Sequence, residues 1–244
     1  MTFRSEETFT HSQAEKIGVL LVNLGSPEAP DTTSIRRFLK EFLADQRVVE
    51  IPRPLWKMIL YGFILPFRPS KLVPLYQSIW TADGSPLHVI SRQQKDKLID
   101  YFSLQGREDL SFALAMRYGK PNIKAALEQL AAVNARKILI FPLSAHYSAT
   151  TTASIFDAVT KELHDWRWVP ELRFINSYHD HPAYIQALTD SLLEHWKSHA
   201  RAQKLMMSFH GIPKANHLKG DPYYCQCHKT ARLLAENLDL SDDE

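Results

Sequence analysis

The chain has 244 residues, of which 45% are hydrophobic, enough to bury a sizeable core in one large domain or two smaller ones. Its 29 basic and 27 acidic residues are interspersed and leave a net charge of +2, so charge alone recruits no nucleic acid or other polyanion. The two cysteines, Cys225 and Cys227, cannot staple a large chain, the N-terminus has no secretory signal, and no run reaches the ~18 apolar residues of a membrane span; a reducing, cytoplasmic setting fits best.

Residues 1–16 read as an N-terminal tail. "IGVLLVNLG" (17–25) then reads as a parallel strand covered on both faces, because it is continuously apolar. The turn that follows, "NLGSPEAPD", holds a single glycine and no Gly-Lys-Ser, so no nucleotide is expected there, and Asp31 or Thr32 is left to cap the helix "TTSIRRFLKEFL". "RVVEIP" (47–52) has the composition of a second strand. The apolar stretch "PLWKMILYGFILPF", Pro54 to Phe67, is too short to span a bilayer and is broken by Lys57 and Gly62. It reads as a core helix, a cleft lip or an interfacial segment, and peripheral membrane contact is expected of it in the last case. It ends in "PFRPSKLVPLY", where prolines bracket Arg68 and Lys71.

After the helix "SRQQKDKLIDYF", strands "LSFALAMRYG" (110–119), "ARKILIFPLS" (135–144), "ELRFINSY" (171–178) and "KLMMSFHG" (204–211) alternate with the helices "PNIKAALEQLAAV", "TTASIFDAVTKEL" and "PAYIQALTDSLLEHW". Pro121 and Pro182 open two of these helices, where a missing N–H costs nothing. The alternation predicts an α/β fold with a doubly wound parallel sheet, in two lobes, 17–147 and 148–244. The second lobe is incomplete: its last element is the helix "YYCQCHKTARLLAENL", with no strand after it, and the chain reads as a fragment.

Among the eleven histidines, His179 and His181 bracket an aspartate at a helix start, in a pattern that serves capping as readily as metal ligation. His195 and His199 lack the carboxylate of a zinc-protease pair and read as an exposed face. Cys225, Cys227 and His228 point apart on a helix and do not suit one ion. His210 differs from these. It stands where the apolar run "KLMMSF" ends, Gly211 and Pro213 force a sharp exit, and a second turn, "GDPYY", with Asp221 and Pro222, leads into the last helix. The carboxyl end of a strand in an open α/β sheet is where ligands bind, so His210 is the candidate functional side chain.

In "GVLLVNLGSPEAPD", "FRPSKLVPLYQSIWTADGSPL", "AMRYGKP", "PLSAHYSATTTAS" and above all "SFHGIPKANHLKGDPYYCQC", the chain resembles the ferrochelatase family over nearly its whole length from Ile17. The resemblance implies two Rossmann-like lobes with a porphyrin cleft between them and insertion of Fe²⁺, as substrate metal, into protoporphyrin IX. It makes His210 the catalytic and metal-binding histidine. It puts Leu24, Arg68, Lys71, Tyr76, Ser85, Arg117, Tyr118, Tyr147, Ser148 and Thr150 in the porphyrin site. A second His–Glu pair of the family falls beyond Glu244, so activity of this chain by itself is in doubt, and a non-catalytic tetrapyrrole carrier on the same scaffold is the alternative. Cluster-bearing members use four cysteines, so no iron–sulfur cluster is expected with two. The chemistry suits these residue types: imidazole can accept a pyrrole proton, arginine matches propionates, and Trp56, Phe63 and Phe67 offer an apolar lip. The oligomeric state is not encoded in any recognisable pattern.

Overall fold

A computed structural model describes residues 3, 4, 10 and 12–241, so half of the expected tail lies outside the described residues. Four strands, β1 (Lys16–Asn23), β2 (Leu110–Met116), β3 (Ala135–Pro142) and β4 (Glu171–Phe174), form one parallel sheet in the order β2-β1-β3-β4. Val19 lies opposite Phe112 on one side and Leu139 on the other. The winding runs from β1 outward to β2, returns across β1 to β3 and continues to β4, so its direction reverses between β1 and β3. The α/β class is therefore present as a single four-stranded parallel sheet.

Two stretches expected as strands are not strands. In 47–52 the amides of Val48 and Val49 donate to the Asp45 carbonyl, and both side chains pack against neighbouring helices. Their apolar character reports burial, not a ladder. Residues 204–211 pair with no strand, and Met206 is 91% exposed. A strand persists only where a neighbour takes its backbone groups. The stretch 171–178 is expected as the first strand of the second lobe, but its first part joins β3, with Ile138 opposite Leu172, and thereby pairs an edge that would otherwise stand open. No second sheet is present among the described residues.

The chain divides into two compact units, Met1–Leu143 with Ala149–Ile175, and Ser144–Ser148 with Asn176–Glu244. In the first, α5 (Ile123–Ala132) and α6 (Ser154–Leu163) cover one face of the sheet, burying Leu127, Leu130, Ile155 and Val159 against Leu20, Val22, Ile138 and Ile140. A second cluster joins α1 (Thr32–Ala44), α2 (Arg53–Ile59) and α3 (Leu65–Ile79) through Ile35, Phe38, Trp56, Leu60 and Leu65. Asp31 caps α1, accepting from the amides of Thr33 and Ser34. Pro121 falls just outside α5, which Asn122 caps instead; Pro182 does open α7 (Pro182–Ser198). A further helix, α4 (Pro86–Leu104), follows α3.

Two glycines explain local sequence. Gly18 leaves room beside Leu130 and Ile138, which a Cβ would meet at 3.1 and 3.3 Å. Gly25, with φ of +102°, lets the Tyr118 carbonyl come so close that a Cβ would sit 1.9 Å from it. The lone glycine of "NLGSPEAPD" is thus required by packing against the neighbouring loop.

Between α2 and α3 the helix loosens into a π-helical turn, Leu60–Ile64. Proline follows at 66, 69 and 74. Pro69 has no N–H to give the Leu65 carbonyl, and the Arg36 guanidinium fills the gap, its Nε donating to that oxygen at 3.1 Å. This segment is both core and surface. Trp56 is buried with its indole N–H on the Leu43 carbonyl, 2.6 Å away, so it anchors the core and is no lip residue. Met58, Phe63 and Phe67 are bare, at 65%, 69% and 62% exposure.

The second unit packs α7 against α9 (Tyr223–Asn237), with a short α8 (Lys214–Leu218) between them in sequence. Ile185, Thr189, Cys227, Thr230 and Leu234 are its buried residues on these helices. The described residues contain no helix long and apolar enough to cross a membrane.

Candidate functional site

In the first unit, Leu24 leaves β1 half-buried, and its carbonyl accepts the Tyr118 amide at 3.0 Å. Arg117 and Tyr118 leave β2 beside it and converge on one carboxylate that sequence reading did not single out. Asp45 Oδ2 accepts from Arg117 Nη2 at 2.5 Å, Tyr118 Oη at 2.8 Å and Ser154 Oγ at 2.6 Å. Asp45 Oδ1 accepts the Arg47 amide at 2.8 Å, and the Arg117 Nε donates to the Ser154 carbonyl at 2.9 Å. Burial pushes the Asp45 carboxyl up, but the bonds from Ser154, Arg47 and Tyr118 and the Arg117 charge outweigh it and hold it below the usual range. Burial also raises the Tyr118 phenol well above its ordinary value. Tyr118 is 1% exposed, and these bonds clamp the end of α1 to β2 and α6.

Arg68, Lys71 and Tyr76 lie along α3. Arg68 and Lys71 are exposed and have no ion-pair partner among the described residues, which leaves both charges available to an anionic ligand. Tyr76 is half-buried, and burial raises its phenol while the Arg68 charge lowers it. Ser85 is buried at the start of α4, and Thr150 is half-buried in a π-helical turn, Ala149–Ala153, that leads into α6.

In the second unit, His210 is exposed and lines a cavity of about 370 Å³ with Met207, Phe209, Ile212, Tyr223 and Cys227 among its walls. Its Nδ1 lies 2.7 Å from the Gly211 carbonyl oxygen. A carbonyl only accepts, so Nδ1 carries the proton, and in the neutral ring Nε2 presents a bare lone pair, unpartnered among the described residues. The strand end expected to hold this histidine is replaced by contacts from α9. The Tyr223 hydroxyl accepts the His210 amide at 3.2 Å, and the Tyr223 amide donates to Asp221 Oδ1 at 3.0 Å. Ser148 Oγ donates to Asp221 Oδ2 at 3.0 Å, and Gln226 accepts the Tyr147 amide at 2.7 Å, so Tyr147 and Ser148 are brought to the same helix start as His210.

Sequence reading also passed over His146. Its ring meets Phe209 edge-on at 5.6 Å, Tyr223 at 5.9 Å and His179 at 5.9 Å. The Thr230 hydroxyl donates to the His179 carbonyl at 2.8 Å, so its oxygen receives a proton from His146 Nε2, 2.9 Å away. Burial lowers the His146 pKa, and the charge of a protonated His179 would lower it further. His179 is itself buried and lowered by burial, partly opposed by Asp180. His181 caps α7, and His195 and His199 stack on each other at its end. Among the described residues no three His, Cys, Asp or Glu side chains gather as a metal site.

The family model of ferrochelatase matches residues 16–244. The chain is 50% identical over 244 residues to the ferrochelatase of Nitrosococcus oceani, covering all of this chain and 66% of that protein. It is 51% identical over the same span to the ferrochelatase of Herminiimonas arsenicoxydans, again 66% of its length. To ferrochelatase 2 of Shewanella oneidensis it is 50% identical over 234 residues, 96% of this chain and 71% of the relative. The chain thus spans a little under two thirds of the length of the first two of these relatives. With a family match from the first strand to the last residue and half of all positions identical to these relatives, the chain belongs to the ferrochelatase family.

Proposed function

We propose that the protein inserts Fe²⁺ into protoporphyrin IX, with His210 as the base. The observation that carries this is the His210 ring: one nitrogen is tied to the Gly211 carbonyl and the other is bare, on the wall of an apolar cavity, in a chain of this family. Insertion exchanges two pyrrole N–H protons for one divalent ion. Nε2 accepts these protons in turn and passes each to solvent, and the same lone pair can hold the incoming metal between transfers. Arg68 and Lys71, exposed and unpaired, suit the propionates, and Leu24, Tyr76, Tyr147 and Thr150 are proposed as further porphyrin contacts. Ser85, Arg117, Tyr118 and Ser148 are assigned supporting roles behind them, in keeping with their burial or their bonds to Asp45 and Asp221. The second unit, with its His210 segment and α7 to α9, is proposed as part of a second α/β lobe.

The exposed Met58, Phe63 and Phe67 next to Lys57 and Arg68 further support peripheral contact with a membrane surface, and the two free thiols accord with a cytoplasmic setting. His210→Ala in the protein at its native length tests the central assignment. Zn²⁺ insertion, followed by porphyrin fluorescence, is expected to vanish while protoporphyrin still binds. Metallation at the parental rate would overturn the role of His210, and binding without metallation by the parent would make the protein a carrier.

A further inference from the structure

Tyr223 does more than pack. Its phenol oxygen accepts the His210 amide at 3.2 Å. Burial, followed by the neighbouring Cys227 side chain, holds the phenol above its usual pKa, so it stays protonated across the physiological range. Its amide is fixed by Asp221, whose other carboxylate oxygen is held by Ser148. Its ring lies edge-on to His146, which also meets Phe209, the residue before His210. His210 lies in no ladder, so its backbone has no strand neighbour to fix it, and Tyr223 supplies a hydrogen bond to the amide of that residue.

We propose that Tyr223 is a positioning residue: through its hydroxyl on the His210 amide it sets the direction in which the imidazole Nε2 points. Asp221 acts one step further back, by fixing where α9 begins and therefore where the phenol stands. The pairing of "GDPYY" with "FHG" in the sequence follows from this, since the second turn carries the group that braces the first. The inference rests on His210 being the base.

Tyr223→Phe deletes the hydroxyl and keeps the ring against His146. In the protein at its native length, kcat for Zn²⁺ insertion is expected to fall about three- to tenfold, the loss of one hydrogen bond, with the porphyrin KM within about twofold. Tyr223→Met, which also lacks the hydroxyl but fills the space differently, gives the same loss in kcat, so the effect does not hang on one variant's packing. In a His210→Ala background, Tyr223→Phe costs nothing further in residual rate, because a residue acting through the imidazole has nothing left to orient. A general structural role would instead reduce both backgrounds alike and raise KM. Parental kcat in both Tyr223 variants, or equal losses with and without His210, overturns the positioning role. If His210→Ala itself retains the parental rate, the base assignment fails first, and the two failures are told apart.

Discussion

Replacing Asp45 by alanine strands a guanidinium. In the parent, one carboxylate oxygen receives Arg117, Tyr118 and Ser154, and the side chains of Asp45 and Arg117 are 9% and 21% exposed. Losing one partner of a buried pair costs about 3–5 kcal/mol, mostly because the remaining charge is left uncompensated. Arg117 keeps a fifth of its surface in water, so the lower end, about 3 kcal/mol, applies. For a chain of this size that corresponds to a fall of roughly 6–12 °C in melting midpoint. Thermal melts followed by circular dichroism at pH 7 would show it. Asp45→Ala with Arg117→Met should melt no lower than Asp45→Ala alone, since the stranded charge is gone. The sign of the acid effect also follows. The folded pKa of Asp45 lies below its unfolded value, so its contribution is present above the unfolded pKa and disappears as pH falls through the folded one. A midpoint for Asp45→Ala within about 2 °C of the parent, a shift near the ordinary scatter of surface changes, would refute the clamp.

Acid should also weaken the second unit through His146. Burial depresses its folded pKa below 6.5, so between the two values the unfolded chain binds a proton that the folded one refuses, and stability falls as pH drops below the unfolded pKa. His146→Gln keeps a donor for Thr230 without that penalty, and its melting midpoint should drop less than the parent's between pH 7.5 and 5.5; equal drops would dispose of the idea. For the bare face of α2 and α3, Phe63→Ser with Phe67→Ser should abolish co-flotation with vesicles containing anionic lipid, and unaltered flotation would show that another surface is responsible.

Strands β1, β2 and β3 are legible in the sequence because unbroken apolar runs go with burial on both faces of a parallel sheet. The same signal misleads at 47–52 and 204–211. Val48 and Val49 are apolar because they pack on helices, and Leu205 to Phe209 have the composition of a strand without a neighbour to make one. Strand composition is local, and pairing is not. His210 could be singled out from the turn formers around it, but the groups that hold it could not. Asp45 is a lone acid in a loop whose three partners lie 72 to 109 residues away. Tyr223 looks like one more aromatic at a helix start until its hydroxyl is seen beside the His210 amide. Trp56 suggests a lip from sequence because it lies in the greasiest stretch of the chain, yet its indole reaches inward to α1.

At the exit of β1 the backbone of Tyr118 comes up against position 25, and it can do so because that position carries no side chain. The first turn is consequently pinned against the loop that follows β2, and its course is set by that contact. The close approach is had at the expense of a single position that tolerates no other amino acid.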